Sequence, residues 1–250
     1  MMLKLLKLPI LKRIIPSLIK RLNIINKKIY RNKIYYDLDL RYFVDRNFYL
    51  YGWDDDIIQY LNLLIKKNKI EYFLDIGSCW GIYTLQVAQE NPEIKIYSYD
   101  VYNRNIERLN SMLNKNKFNN VKTYNLAIGS ERKVEKFAVE EEYSPNYAKD
   151  SSGKFKIEVN QDRIDNLIDL KNKNIAIKID VERMEHHVLK GAMELLRNNN
   201  CFIIIETDQK KTEVLSLLNL LAYKKINHNL NTIDSFFSNF NLEEQTLDLT

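Results

Sequence analysis

Glycine and proline are scarce in this chain, at 6 and 4 of 250 residues. That excludes collagen-like repeats and leaves little material for long low-complexity linkers. Cysteine is scarcer still. Cys79 and Cys201 lie 122 positions apart, too few for a disulfide framework and suited to a reducing interior. Long apolar runs are missing too: a lysine or arginine interrupts residues 1–36 every few positions, so neither a membrane span nor a secretory h-region can form there. What remains is an ordinary globular balance, 45% hydrophobic and 28% charged, which excludes wholesale disorder. At 250 residues it fits one generous domain, or one with an appendage.

The charge is unevenly placed. Ten lysines and arginines precede Asp37 with no acid among them, so the net +5 is +10 over the first 36 residues and −5 over the rest. Beyond Pro16, the residues Leu18, Leu22, Ile25 and Ile29 recur at helical spacing, which predicts one apolar helix face with Lys20, Lys27 and Lys28 off the stripe. Such a helix either packs on the body or lies on an anionic membrane through residues 1–30, where each basic residue contributes about 1 kcal/mol. No nucleic-acid motif accompanies the charge, and a nucleic-acid partner is not expected. The expected location is the cytoplasm, with peripheral membrane contact as the further option.

From residue 71 onward, short β-rich runs alternate with helical patterns. Strands are expected at Glu71–Ile76, Ile94–Tyr99, Val121–Ile128, Ile175–Ile179 and Cys201–Ile205. Helices are expected at Gly81–Glu90, from Asn103, near Ile164–Leu170, over 183–197 and at Glu213–Leu221. Residues 129–160 are polar and read as an insertion with two paired β-like pieces, Lys133–Val139 and Lys154–Val159. Two last runs, Tyr223–Asn227 and Ile233–Phe237, suggest an antiparallel edge hairpin. The alternation predicts an α/β fold, a mostly parallel sheet with helices on both faces, whose ligand sits beyond the strands' carboxyl ends. Three segments follow: a basic helical extension (1–36), a lid or cap (37–70) and a ligand-binding domain (71–250).

The first strand ends in Asp75-Ile76-Gly77-Ser78-Cys79-Trp80-Gly81. Gly77 and Gly81 let the backbone bend and approach a ligand without a Cβ clash. A dinucleotide fingerprint needs a further glycine where Cys79 stands, so a carboxylate-bearing ligand without phosphate fits better, held by N–H groups at the helix amino terminus. Asp75 could order the turn or meet an ammonium. Asp100, 25 residues later with Val101 beside it, can accept hydrogen bonds from two ribose hydroxyls. Asn125 and Ala127 on the third strand could border an adenine. A nucleoside joined to an amino acid without phosphate describes S-adenosyl-L-methionine.

This turn resembles the FkbM-type S-adenosylmethionine-dependent methyltransferases, as do Val121–Gly129 and Ile177-Lys178-Ile179-Asp180-Val181-Glu182-Arg183-Met184-Glu185. Val188-Leu189-Lys190-Gly191-Ala192, Ile203–Glu206 and Tyr51-Gly52-Trp53-Asp54 extend the resemblance across about residues 33–240. It implies the seven-stranded class I methyltransferase fold and O-methylation, often of sugar hydroxyls. The chain departs from that pattern at Ser78-Cys79, where Ala-Asn is usual, at Asp100, where Glu is, and at Arg183, where Gly is.

On a helical wheel Val181, Met184, Val188, Leu189, Ala192, Leu195 and Leu196 share an arc, with Glu185 inside it. That predicts a buried Glu185 which caps its helix, pairs with Lys178 or positions another site group. Asp180 is the first candidate for contact with the donor's amine or the acceptor hydroxyl, Glu182 the second as base, and Glu206 the third. These three could also ligate a divalent cation; no metal is assigned. His186 and His187 point off the arc and read as surface residues. Trp53, Trp80 and the aromatic run Tyr30–Tyr51 read as packing and a lid. The acceptor expected is a small molecule or glycan. A non-catalytic module on the same fold, or a nucleic-acid methyltransferase, are the alternatives; the latter generally shows a Pro-Pro-aromatic segment that Val181-Glu182-Arg183 lacks.

Overall fold

From Asn26 the chain forms a strand where its spacing predicts that the helix continues; Arg21, earlier in the same span, is helical. The computed structural model describes residues 21, 25–139, 147–148, 155–206 and 211–243. Asn26–Arg31 (β1) and Ile34–Asp39 (β2) pair antiparallel. Asn32 and Lys33 connect them with φ of 50° and 62°, the left-handed pair that a type I′ hairpin turn requires. Ile25 and Ile29 are four apart, an even number, so their spacing satisfies a strand's period of two as well as a helix's 3.6. The partner strand shows which period holds: Ile34, Tyr36 and Leu38 are buried while Tyr35 and Asp37 face out. Leu18 and Leu22 lie outside the described residues.

Two helices follow, Phe43–Tyr51 (α1) and Asp55–Lys67 (α2). The amphipathic α2 buries Ile57, Ile58, Leu61, Leu64 and Ile65 and exposes its charged face. The main sheet then begins with Tyr72–Ile76 (β3), Ile82–Glu90 (α3), Lys95–Asp100 (β4), Asn103–Asn116 (α4) and Val121–Asn125 (β5). The expected third strand divides at Leu126. Its second part, Ala127–Ile128 (β6), joins a smaller four-stranded sheet with Lys133–Val139 (β7), Tyr147–Ala148 (β8) and Phe155–Asp162 (β9). The two β-like pieces of the insertion do pair, antiparallel, as β7 and β9.

Ile164–Leu167 (α5), Asn174–Ile179 (β10), Glu185–Gly191 (α6), Met193–Asn198 (α7), Asn200–Glu206 (β11), Lys211–Leu220 (α8), Lys224–Ile226 (β12) and Asp234–Ser238 (β13) complete the order. The seven-stranded sheet runs β12-β13-β11-β10-β3-β4-β5, parallel from β11 to β5 and antiparallel at β13 and β12. Alternate residues of the same strands feed two cores. Phe202 and Ile204 pack with the hairpin, α2, α3 and α4; Ile203 and Ile205 pack with Val188, Leu189 and Leu218 on the other face.

The expected helix over 183–197 is two short ones preceded by a tight turn. Val181 O accepts from Met184 N at 3.3 Å, and Glu182 and Arg183 carry φ of 49° and 76°. Gly191, a poor helix former, ends α6 where its neighbour is the backbone of residue 129. Met184 therefore leaves the core-facing arc for the cavity wall, Val181 lines that wall while still packing on the core, and Val188, Leu189, Ala192, Leu195 and Leu196 stay buried in the core.

Candidate active site

At the carboxyl ends of β3, β4, β10 and β11 lies a cavity of 330 Å³. The sheet's order reverses between β3 and β10, and strand ends diverge there to leave a crevice. Gly77 rides directly on the end of β10: a Cβ at this residue would stand 1.8 Å from the Asp180 carbonyl oxygen, and its φ is +85°. Only glycine fits. Gly81, at φ +90°, starts α3 against Leu109 and is not in the cavity wall.

The turn is held from inside. Gly77 N and Ser78 N both donate to Tyr99 O, at 2.9 and 3.0 Å, and Cys79 N donates to Asp100 Oδ2 at 2.9 Å. Asp75, fully buried, accepts from Thr84 N and Thr84 Oγ1 at 3.2 and 2.6 Å, so it orders the turn. These N–H groups are engaged within the protein, which narrows the set that the sequence assigned to a ligand carboxylate. Ser78 Oγ is different: it is buried in the cavity wall with no partner among the described residues.

Asp100 lines the cavity with Val101, and its other oxygen accepts from Tyr102 N and Asn105 Nδ2 at 2.8 and 3.1 Å. Burial outweighs these donors and pushes its carboxyl up to about 7. Ala127 lines the wall as expected, joined by Leu126 and Ile128. Asn125 does not reach it; that side chain is exposed and donates to Asp100 O at 3.1 Å.

The acids gather on the opposite wall. Asp180 Oδ2 accepts from Lys178 Nζ at 2.9 Å, and the Lys178 ammonium lies 4.6 Å from the centre of the Tyr83 ring. Burial alone would lower the Lys178 pKa, yet the carboxylates of Asp180, Asp75 and Asp234 hold it above the ordinary value. Glu182 stands exposed at the rim; lost hydration raises its carboxyl, and Asp180 and Glu185 add to this. Glu206 ends β11, and burial, followed by the fields of Asp180, Glu182 and Asp234, pushes it up to about 7.

Residues 75–239 match the family model described as the Methyltransferase FkbM domain. The chain belongs to this family. No curated protein matches it. Among solved structures it is similar to the methyltransferase FkbM from Methylobacillus flagellatus KT, at a TM-score of 0.50 and 15% identity. That match covers 68% of this chain and 43% of the other, so the chain spans less than half of that protein's length. A putative caffeoyl-CoA O-methyltransferase from Staphylococcus aureus is similar at a TM-score of 0.47 and 12% identity, over 74% of this chain and 83% of that one. M. jannaschii TYW2, solved in complex with AdoMet, gives 0.45 and 13%, over 85% and 86%. The seven-stranded class I methyltransferase fold is thus present, and the chain is a methyltransferase by family.

In this FkbM methyltransferase the cavity gathers Asp75, Gly77, Ser78, Cys79, Asp100, Val101, Ala127, Asp180, Glu182 and Glu206, and leaves out Gly81 and Asn125. Glu185 is buried as the wheel implied, but it caps its own turn, accepting from Arg183 N at 3.1 Å; Lys178 pairs with Asp180 instead. His186 is not a surface residue. It is 4% exposed because α8 covers the outer side of α6, and its Nε2 lies 3.4 Å from Glu213 Oε2. Trp80 packs edge-on against Tyr36 and Phe48 in the core, away from the cavity, whereas Trp53 lines it. The Cys79 thiol is raised by burial and by Asp100, so it stays protonated and is no nucleophile.

Sequence reasoning missed Phe137 and Gln161, which reach the cavity from β7 and β9, whereas Phe43, from the aromatic run read as a lid, reaches it from α1. Asp54, not itself in the wall, accepts from Tyr83 Oη at 2.9 Å beside Lys178. Asp54 was legible only through its place in Tyr51–Asp54; the β-insertion offered no signal. Among the described residues, no three His, Cys, Asp or Glu side chains converge as a metal site, and no helix is long and apolar enough to cross a membrane.

Proposed function

We propose that this chain transfers a methyl group from S-adenosyl-L-methionine to an oxygen acceptor, a sugar hydroxyl of a glycan or glycolipid precursor. The observation that carries this is Glu206, a half-buried carboxyl with a pKa of about 7 in the same cavity as the Gly77 turn. A base poised near neutral pH is suited to take a hydroxyl proton as the oxygen attacks.

The residues present fit the donor. Among the described residues Lys178 is the only Lys or Arg in the cavity wall, and it is engaged by Asp180, while Asp75, Asp100, Asp180, Glu182 and Glu206 surround the space. A pyrophosphate would meet repulsion there; a cationic nucleoside would not. Ser78 Oγ and the Gly77 backbone suit the amino-acid end, and Asp100 and Val101 suit the nucleoside. The donor supplies an electrophilic methyl group on a sulfonium. The chain's own part is to hold the acceptor against Asp180 and Glu182, exclude water with Phe43 and Trp53, and receive the proton at the Glu206 carboxylate. Asp180, bonded to Lys178, is the positioning acid. Glu206, the third candidate from the sequence, therefore takes the role of base in place of Glu182, the second.

The basic residues ahead of Asp37 support a peripheral role at an anionic membrane, where a lipid-linked acceptor is presented from the cytoplasmic side. Sedimentation with anionic vesicles, lost in high salt, is the expected result.

Calorimetry with S-adenosylhomocysteine tests the donor site, and labelled-methyl transfer to a panel of glycans and sugar precursors tests the acceptor. Binding by wild type and Glu206→Gln alike, with transfer lost in the variant, supports the reading. Absence of binding by the wild type would overturn it.

A further inference from the structure

The small sheet does more than decorate the fold. Its strand β9 places Gln161 directly opposite Ala127 of β6, so a long amide enters the cavity beside the two apolar residues that end the third strand, Ala127 and Ile128. Gln161 is 3% exposed. Its Nε2 donates to Glu131 O at 3.0 Å. A carbonyl can only accept, so this bond fixes which end of the amide is which, and Oε1 is the atom left over. Among the described residues Oε1 accepts no hydrogen bond. The amide is also held from behind: its carbon and both heteroatoms lie against Gly129, where an added Cβ would stand 2.4 to 2.6 Å from them.

The surroundings are apolar. Phe137 from β7 packs with Ala127 and Val159, and Val101 and Tyr102 join the cluster from the end of β4. The result is a slot with greasy walls and one fixed acceptor, next to the acid of Asp100. Asn125, the amide that the sequence offered for this place, faces away and is bonded to Asp100 O.

We propose that Gln161 is the base-reading residue of the donor site: its Oε1 accepts from the exocyclic amine of adenine, with Phe137 as the apolar wall. The inference rests on the donor assignment above and adds what selects the base. A hypoxanthine ring presents an oxygen where adenine presents the amine. Oxygen would then face oxygen, and the amide cannot turn over without breaking its bond to Glu131 and pressing on Gly129. A site built around one buried hydrogen bond discriminates strongly against a ligand that cannot make it.

The test compares S-adenosylhomocysteine with its deaminated analogue, S-inosylhomocysteine, by calorimetry on the full chain. Wild type is expected to bind the adenine compound at least tenfold more tightly. Gln161→Leu is expected to bind it more weakly and to bring the ratio close to one; Gly129→Ala, which displaces the amide without removing it, should reduce the ratio as well. Equal binding of both compounds by wild type, or an unchanged ratio in a folded Gln161→Leu, overturns the proposal while leaving the donor site standing. Failure of wild type to bind either compound instead overturns the donor assignment on which it rests. The wild-type comparison needs no variant to fold.

Discussion

Lys178 and Asp180 stand two residues apart on the end of β10 and bond to each other across the cavity wall, Nζ to Oδ2 at 2.9 Å. A strand's period of two puts both on one face, and the register sets Lys178 beside Asp75 of β3. One buried ammonium thus serves two carboxylates, of which Asp75 is fully buried.

Replacing Lys178 by Met should therefore be costly, because it leaves buried negative charge uncompensated. A loss of about 3–5 kcal/mol in urea denaturation is expected. Lys178→Arg, which keeps the charge in a larger group, should lose less. A Met variant as stable as wild type would show that Asp75 and Asp180 do not depend on this ammonium.

Glu206 sets a pH dependence of both rate and stability. As the base it must be ionised, so methyl transfer should rise with pH through about 7 and level off above it. Stability moves the other way. The folded carboxyl keeps its proton up to about 7 while an ordinary glutamate releases it near 4.5, so the native state binds more protons in that window. Its contribution to stability falls as pH rises from about 4.5 to 7. Glu206→Gln should flatten both slopes, measured by a pH–rate profile and by melting temperatures over the same range.

Gly77→Ala tests the contact between the first turn and β10. The added Cβ would meet the Asp180 carbonyl oxygen at 1.8 Å in a backbone conformation that disfavours any side chain. The turn must shift away from β10, and affinity for S-adenosylhomocysteine should fall by more than tenfold in calorimetry. Retained affinity would show that the turn is not part of the donor site.

Arg183→Gly should stabilise the chain. Glu182 and Arg183 form the centre of a type I′ turn, with φ of 49° and 76°, and a non-glycine residue in that region costs about 1–2 kcal/mol. Glycine relieves the strain but loses chain entropy, so a net gain of about 0.5–1 kcal/mol is expected from thermal unfolding. An unchanged or lower melting temperature would mean that the Arg183 side chain makes a compensating contact.

The turn at Val181–Met184 also shows where periodicity misleads. Apolar residues at 181, 184, 188 and 192 satisfy a helical wheel, yet Met184 serves the cavity, Val181 is shared between cavity and core, and only the later two are buried in the core. Glu-Arg carries no glycine or asparagine to announce a left-handed pair. Likewise, Val121–Ile128 reads as one strand because β-forming and apolar residues recur along it with no glycine or proline to interrupt them; the break at Leu126 comes from β6 finding its partner in β9, 34 residues downstream. By contrast, the central strands were legible to within one or two residues, because runs such as Cys201–Ile205, buried on both faces, have no other stable use.

The sequence by itself determined the alternation of strands and helices, the glycine turn after β3 and the acids at the strand ends, because each is a local consequence of side-chain period, backbone freedom or charge. The tertiary structure decided which of those acids share water-poor space. Glu206 lies beside Asp180 only because β11 pairs with β10, and that proximity, with burial, shifts its proton affinity to near neutrality. Gln161 reaches the cavity only because β9 crosses to β6. Such neighbours depend on strand order and register, which are properties of the whole chain's packing and are written in no single segment.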